Sequence, residues 1–366
     1  MSGSSPSPPG AAEILEPPSD DGAYEARQFD FSGAFGGVEA SVAQAADPPD
    51  AAALSSGLDQ EAPGSAGGLI EKLIALSFGD RAFLLPSEAV AWRTAIDAIR
   101  RSHQAAGRPK RRRLIVCAGA SAASGPAPAG LEGDDEVTLL QTDDLGALSG
   151  AIKPNTAGVL IAPVRTGNGL DVLDGRLLAG LREMADEYGL VLAFDETFCG
   201  LGRSGMVWAH EWTGVTPDLM ISTRGLGNSL PLAALVATRK VAQGAPANLP
   251  PADPAAIAAA HAMMDVLSAP GFEERVQNRA WRLEDRLGAL VRQRSDMFKG
   301  LRGVGLMQGL LCAREAEPLR AKLAERGLLT RVMGSVLGIF PPLSVEESDI
   351  DLAVDILAEV CAGEGA

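Results

Sequence analysis

The chain has 366 residues, a formal net charge of −15, an apolar fraction of 46% and few aromatics, 4%. That is enough chain for one large and one smaller domain around a core of Ala, Leu, Val and Ile. The acidic balance excludes a phosphate backbone as partner, since nucleic-acid binding needs a basic surface. No apolar run is long enough to span a bilayer.

Residues 1–25 are rich in Ser, Pro, Gly and acid and read as a flexible N-terminal arm. The N-terminus lacks the basic start and apolar core of a signal peptide, so a cytoplasmic setting is expected. Residues 42–66 are again rich in Ala, Pro, Gly and Asp. Helical apolar spacing then predicts helices over 68–77 and 87–105, the second opened by Ser87, which follows Pro86 and suits an N-cap. The basic cluster Lys110-Arg111-Arg112-Arg113 reads as a solvated lead-in to a strand. Short apolar runs follow: LIVCA (114–118), GVLIAP (158–163), LVLAFD (190–195), DLMIS (218–222) and LAALVA (232–237), with an amphipathic helix at 174–188. Continuous apolar strands alternating with helices predict a parallel sheet covered on both faces. Beyond residue 250 helices are expected at 255–268 and 271–296. A small α/β unit with helices near 316–326 and 346–362 follows. The expected division is an arm (1–25), a large domain (26–250, its N-terminal part able to join the small domain) and a unit of connecting helices plus small domain (251–366).

Cys117, Cys199, Cys312 and Cys361 are scattered, and no pair has redox or metal-ligand spacing. His103, His210 and His261 are equally dispersed, so no metal site is expected.

The run ADEYGLVLAFDETFCGLGRSGMVWAHEWTGVTPDLMISTRGLGNSLPLAALVATRK (residues 185–240) resembles the central block of class III aminotransferases. APGFEERV (269–276), LRGVGLMQGLL (301–311), ERGLLT (325–330) and FPPLSVEESDID (340–351) are similar to the small domain of acetylornithine aminotransferases. The resemblance spans roughly 26–362. It implies an α/β chain of the PLP-dependent transferase fold type I, with a mainly parallel large-domain sheet and a smaller C-terminal α/β domain. It also implies pyridoxal phosphate as cofactor and a homodimer with its sites at the subunit interface. That cofactor is an electron sink that the protein must bind and orient.

Carried over residue by residue, the resemblance places the pyridine-binding aspartate at Asp195 and the following turn at Gly200, Gly202, Arg203 and Gly205. Other positions depart from the family pattern. The Schiff-base lysine falls at Arg224, whose guanidinium is no nucleophile for that task. The phosphate loop falls at Leu85-Pro86-Ser87-Glu88-Ala89, with Glu88 in place of the family glycine, where a carboxylate would repel a phosphate. The stacking aromatic falls at Ser121 and its histidine neighbour at Ala122. The cofactor-contacting glutamine falls at Phe198, the threonine from the second subunit at Leu249, and the carboxylate-binding arginine at Gly338. The segment from Gly119 to Asp134 is also shorter than in active relatives.

The expectation from these substitutions is a non-catalytic relative with a scaffold, regulatory or subunit role. No catalytic residue and no bound cofactor are expected, and the pocket of Ser87, Glu88, Ser121, Asp195, Phe198, Arg224 and Leu249 is taken as vestigial. A self-paired dimer is favoured over pairing with an active paralogue, because Leu249 could not complete a partner's phosphate site. Two alternatives stand beside it. One is an aminotransferase of the acetylornithine type, or another enzyme, with displaced catalytic groups drawn from Asp195, Arg224 and Arg165. The other is a sensor of a small anion or metabolite in the vacated pocket.

Overall fold

The computed structural model describes residues 29–33, 65–117, 134–140, 144–167 and 169–363. The expected arm at 1–25, Ser121, Ala122 and nearly all of the short segment 119–134 lie outside the described residues.

In chain order the first elements are β1 (Phe29–Asp30), α1 (Ala66–Ala75), β2 (Arg81–Leu85), α2 (Glu88–Ala105), β3 (Arg113–Cys117), β4 (Val137–Leu140) and α3 (Leu145–Ala151). Next come β5 (Thr156–Ile161), the short hairpin β6 (Val164–Arg165) and β7 (Asp171–Val172), α4 (Gly175–Tyr188) and β8 (Val191–Asp195). A 3-10 helix (Ala209–Thr213), β9 (Leu219–Ser222), β10 (Ala233–Ala237) and α5 (Arg239–Ala242) follow. The chain ends with α6 (Pro254–Leu267), α7 (Phe272–Gln293), β11 (Phe298–Val304), β12 (Met307–Cys312), α8 (Glu317–Glu325), β13 (Leu328–Leu329), β14 (Arg331–Met333), β15 (Val336–Ile339) and α9 (Glu347–Gly363).

Seven strands form the main sheet in the order β2-β10-β9-β8-β5-β3-β4. β4, β3, β5, β8 and β9 run parallel. β10 is antiparallel to both β9 and β2. The sheet is therefore mainly parallel, as the resemblance implied, with β10 the strand that reverses. Its apolar runs are buried on both faces: every residue of β5, β8, β9 and β10 is buried, as sheets sandwiched between helices require.

Local chemistry sets the helix boundaries. Ser87 caps α2, its Oγ accepting from Val90 N–H at 3.4 Å. Asp174 caps α4 through Arg176 N–H at 2.9 Å. Gly189 ends α4 in the left-handed region at φ 62°, which costs glycine least. Arg111, in the predicted solvated cluster, donates to the carbonyls of Tyr188 (2.7 Å) and Gly189 (2.9 Å), placing a cation at the negative end of that helix.

The C-terminal part carries an antiparallel sheet, β11-β12-β15-β14. α7 and α9 pack together through the ion pairs of Arg282 and Arg286 with Asp351 over a shared apolar core. β1 pairs in parallel with β13, Phe29 opposite Leu328, so the first described residues join the C-terminal part. Among the described residues no single helix is long and apolar enough to cross a membrane.

Candidate active site

In open α/β sheets, ligand sites form beyond the carboxyl ends of the parallel strands. Asp195 is the last residue of β8, is 3% exposed, and sits opposite Ile221 of β9. Its Oδ1 accepts from Thr197 N–H at 2.9 Å, which fixes the carboxylate at the strand end. Near it in the chain or the sheet, the hydroxyls of Thr197, Ser222 and Thr223 are buried with no hydrogen-bond partner among the described residues. Buried hydroxyls left unbonded are costly. Their gathering at the ends of β8 and β9 fits a site that takes a polar ligand.

The next residue, Glu196, anchors the loop that follows. Its buried carboxylate accepts from Ala209 N–H (2.6 Å) and His210 N–H (2.8 Å) and lies 2.7 Å from His210 Nδ1. A carboxylate acceptor requires that nitrogen to carry the hydrogen. Sequence reasoning missed this device, because the partners are fourteen residues apart with no periodic link between them.

The turn expected from the resemblance is built as a structural joint. Gly202 takes φ 86° and Gly205 φ 90°, and a Cβ on Gly202 would meet Phe272 Cζ at 2.6 Å. Arg203 is buried, and burial pushes its guanidinium down to about 10. Its carbonyl accepts from Leu306 N–H at 2.9 Å, tying the turn to the β11–β12 hairpin. Burial, with Glu196 and Asp195 nearby, pushes the Cys199 thiol well up, so it is no ready nucleophile.

Phe198 is 5% exposed and meets Phe340 edge-on at 5.5 Å. Gly338, on β15, faces that ring: a Cβ there would lie 2.6 Å from Phe340 Cε2 and Cζ. The position that carries the arginine in the resemblance is thus occupied by packed aromatic surface. Arg224 follows β9 and is half-buried. Arg165 on β6 faces Asp171 across its hairpin, 3.8 Å from Nη2 to Oδ2. Ser87 and Glu88 open α2, next after β2, whose Leu85 pairs with Ala233 of β10. Leu249 is half-buried against the apolar cluster that β10 and α2 share. Among the described residues no group of three His, Cys, Asp or Glu side chains could hold a metal ion.

A two-part α/β chain with a buried carboxylate at the end of a central strand and a small sheet folded over the following loop has the architecture of the aminotransferases. Residues 121–361 match the family described as aminotransferase class-III. The chain is 35% identical over 305 residues to acetylornithine aminotransferase of Mesorhizobium japonicum, covering 78% of this chain and 75% of the relative. It is 36% identical over 311 residues to acetylornithine aminotransferase 1 of Bradyrhizobium diazoefficiens, covering 80% and 76%. Among solved structures, N-acetylornithine aminotransferase from Stenotrophomonas maltophilia superposes with a TM-score of 0.70 at 26% identity, over 81% of this chain and 79% of the other. Ornithine aminotransferase from Toxoplasma gondii shares the fold, with a TM-score of 0.79 over 92% and 87%. The chain belongs to the class III aminotransferase family.

That membership corrects three expectations: a non-catalytic protein, no enzyme activity and no cofactor. The relatives at this similarity are named as aminotransferases, and the family uses pyridoxal phosphate. Replacing the lysine removes the covalent attachment and a proton-moving amine, but the buried carboxylate of Asp195 remains at the strand end. Leu249 packs in an apolar cluster, and Ser121 lies outside the described residues.

The fit of the cofactor is divided. Asp195, buried and accepting from the Thr197 backbone N–H, fits a protonated ring nitrogen. A covalent attachment does not fit. Arg224 stands at the expected lysine position. Lys110, Lys153, Lys240, Lys299 and Lys322 are exposed, and Lys72 is paired with Asp265. Lys110, Lys153 and Lys240 also sit at the end of the sheet opposite Asp195, preceding β3 and β5 or following β10. No step is therefore routed through the cofactor.

Proposed function

We propose that the chain is an aminotransferase of the acetylornithine type that lacks the covalent lysine contact, with pyridoxal phosphate held by non-covalent contacts. The observation that carries this reading is Asp195: a carboxylate 3% exposed at the end of β8 in a chain 35% identical to an acetylornithine aminotransferase. A carboxylate at that strand end can pair with a protonated ring nitrogen by a charge-assisted hydrogen bond. The partly buried guanidinium of Arg224 can hold an oxyanion by charge-assisted hydrogen bonds. The loop anchored by Glu196 keeps the strand end rigid, and Phe198 with Phe340 keeps water from that side.

Equilibrium dialysis against pyridoxal phosphate tests the reading. Saturable uptake, weakened in Asp195→Ala and leaving no lysine adduct after borohydride, is expected. Absent uptake, or a lysine adduct, overturns it. A homodimer is proposed as well: Trp212 is 49% and Leu230 40% exposed, apolar surface suited to a partner copy. Light scattering that gives the mass of one chain at micromolar concentration overturns that part.

A further inference from the structure

A polar cleft opens between α7 and the start of α9, and its lining shares no residue with the loop after Asp195. Its volume is about 440 Å³, within the span of small-molecule sites, roughly 300–1,000 Å³. α7 supplies Arg275, Asn278 and Arg279, spaced i, i+3 and i+4 and so carried on one face of the helix. The turn that opens α9 supplies Glu346, Glu347 and Ser348. Every one of these side chains is polar or charged.

Arg279 is the fixed part. Its guanidinium donates to the Leu343 carbonyl at 3.2 Å and to Glu346 Oε1 at 2.8 Å, and its side chain is 16% exposed. The groups around it have hydrogen-bonding capacity to spare. Arg275 donates from Nη1 to the Pro270 carbonyl at 3.0 Å, and among the described residues it has no acid partner. A guanidinium is a fork of several N–H donors, so most of this one is open. The side chains of Asn278 and Ser348 have no hydrogen-bond partner among the described residues. Glu346 meets Arg279 through Oε1, and Glu347 meets Arg282 through Oε2 at 3.3 Å. Each carboxylate keeps its second oxygen as an acceptor. Both carboxylate side chains are more than half exposed, and ion pairs so exposed are worth little and are readily shared.

The two walls differ in character. The α7 wall offers an open guanidinium and an amide, and the α9 wall offers two carboxylates and a hydroxyl. A simple anion would meet Glu346 and Glu347, and a simple cation would meet Arg275 and Arg279, each with like-charge repulsion. A molecule with a carboxylate and an ammonium on neighbouring atoms suits both walls at once. We propose that this cleft binds a free α-amino acid as its zwitterion, the carboxylate on Arg275 and Asn278 and the ammonium on Glu346 and Glu347, with Ser348 serving either group. An arginine fork bonds a carboxylate in bidentate fashion. The site is separate from Asp195 and does not depend on amino transfer there.

Isothermal titration calorimetry of the full chain tests the site, with glycine, L-glutamate and L-lysine as probes. Saturable binding of at least one is expected, and the tightest is carried forward. Its Nα-acetyl derivative lacks the ammonium and its carboxamide lacks the carboxylate, so each should bind about tenfold more weakly or worse. Arg275→Gln should weaken the amino acid about tenfold or more, and Arg275→Lys, which keeps the charge but loses the fork, should fall between. Arg275 is exposed, so both variants should melt as wild type does. Asp195→Ala should bind the probe as wild type does. No saturable binding of any probe, a derivative as tight as its parent, or an affinity unchanged in Arg275→Gln overturns the site. Binding lost in Asp195→Ala would place the amino acid at the end of β8 and overturn it as well.

Discussion

Glu196→Ala is the most informative single change near the site, because it acts on the loop that follows Asp195 without touching Asp195. The Glu196 side chain is fully buried, and Ala209 and His210 are 4% and 5% exposed. Removing the carboxylate leaves the backbone N–H groups of Ala209 and His210, and His210 Nδ1, without their acceptor. Each orphaned donor costs about 1–3 kcal/mol. Relief from burying the carboxylate offsets part of this, so a net loss of about 3–5 kcal/mol is expected, a large share of a typical domain's stability. Glu196→Gln keeps one acceptor oxygen but turns an NH₂ toward a donor, and should lose roughly half as much. Urea unfolding followed by fluorescence reads both, with midpoints falling at unchanged slope. A loss under about 1 kcal/mol for Glu196→Ala, within the range of ordinary surface changes, or a Gln variant weaker than the Ala variant, would refute the reasoning.

Other outcomes follow from the same packing. His103 is buried with Nε2 2.7 Å from the Ala157 carbonyl, and burial pushes its imidazole below the ordinary 6.5. The unfolded chain therefore binds a proton that the folded chain resists, and stability should fall as pH drops below about 6.5. Urea midpoints at pH values either side of 6.5 should show a shallower fall in His103→Gln; an identical fall counts against the assignment. Gly338→Ala would press a methyl group against Phe340 and Met333 and should cost about 1–3 kcal/mol, read as a lowered melting temperature; a neutral effect would show the ring free to move. Asp134 accepts from Arg100 at 2.8 and 3.0 Å, and that contact holds its carboxyl below the usual range. The stability it confers is present above about pH 4 and lost as pH falls through the lower folded value. Arg100→Ala should thus destabilise at neutral pH more than at pH 3 by urea titration, and equal losses would contradict this.

The strands that hold the site were legible because they are continuous apolar runs ending in a polar residue. LVLAFD showed both the burial of β8 and the position of Asp195 at its end. β4 was missed: all four of its residues are half-buried at the sheet edge, so it lacks the run that marks a central strand. The direction of β10 is carried by its connection. Residues 223–232 hold no helix, which a parallel crossover would need, and that cue went unread beside the alternation of strands and helices. Three of the four strands of the C-terminal sheet contain glycine, Gly300 and Gly303 in β11, Gly309 in β12 and Gly338 in β15, which weakens any periodic signal. The Glu196–His210 contact depends on the loop after β8 folding back onto the strand end, and no spacing in the sequence announces it.

Amino transfer at Asp195 is most directly tested by following a labelled nitrogen. Acetylornithine carrying ¹⁵N at its reacting amine is incubated with the purified chain, pyridoxal phosphate and a panel of 2-oxo acids, and the amino acid products are read by mass spectrometry. Wild-type protein is expected to pass the label to a 2-oxo acid faster than Asp195→Ala and faster than free pyridoxal phosphate alone. A wild-type rate no higher than that of Asp195→Ala and the protein-free control would contradict the proposed aminotransferase activity.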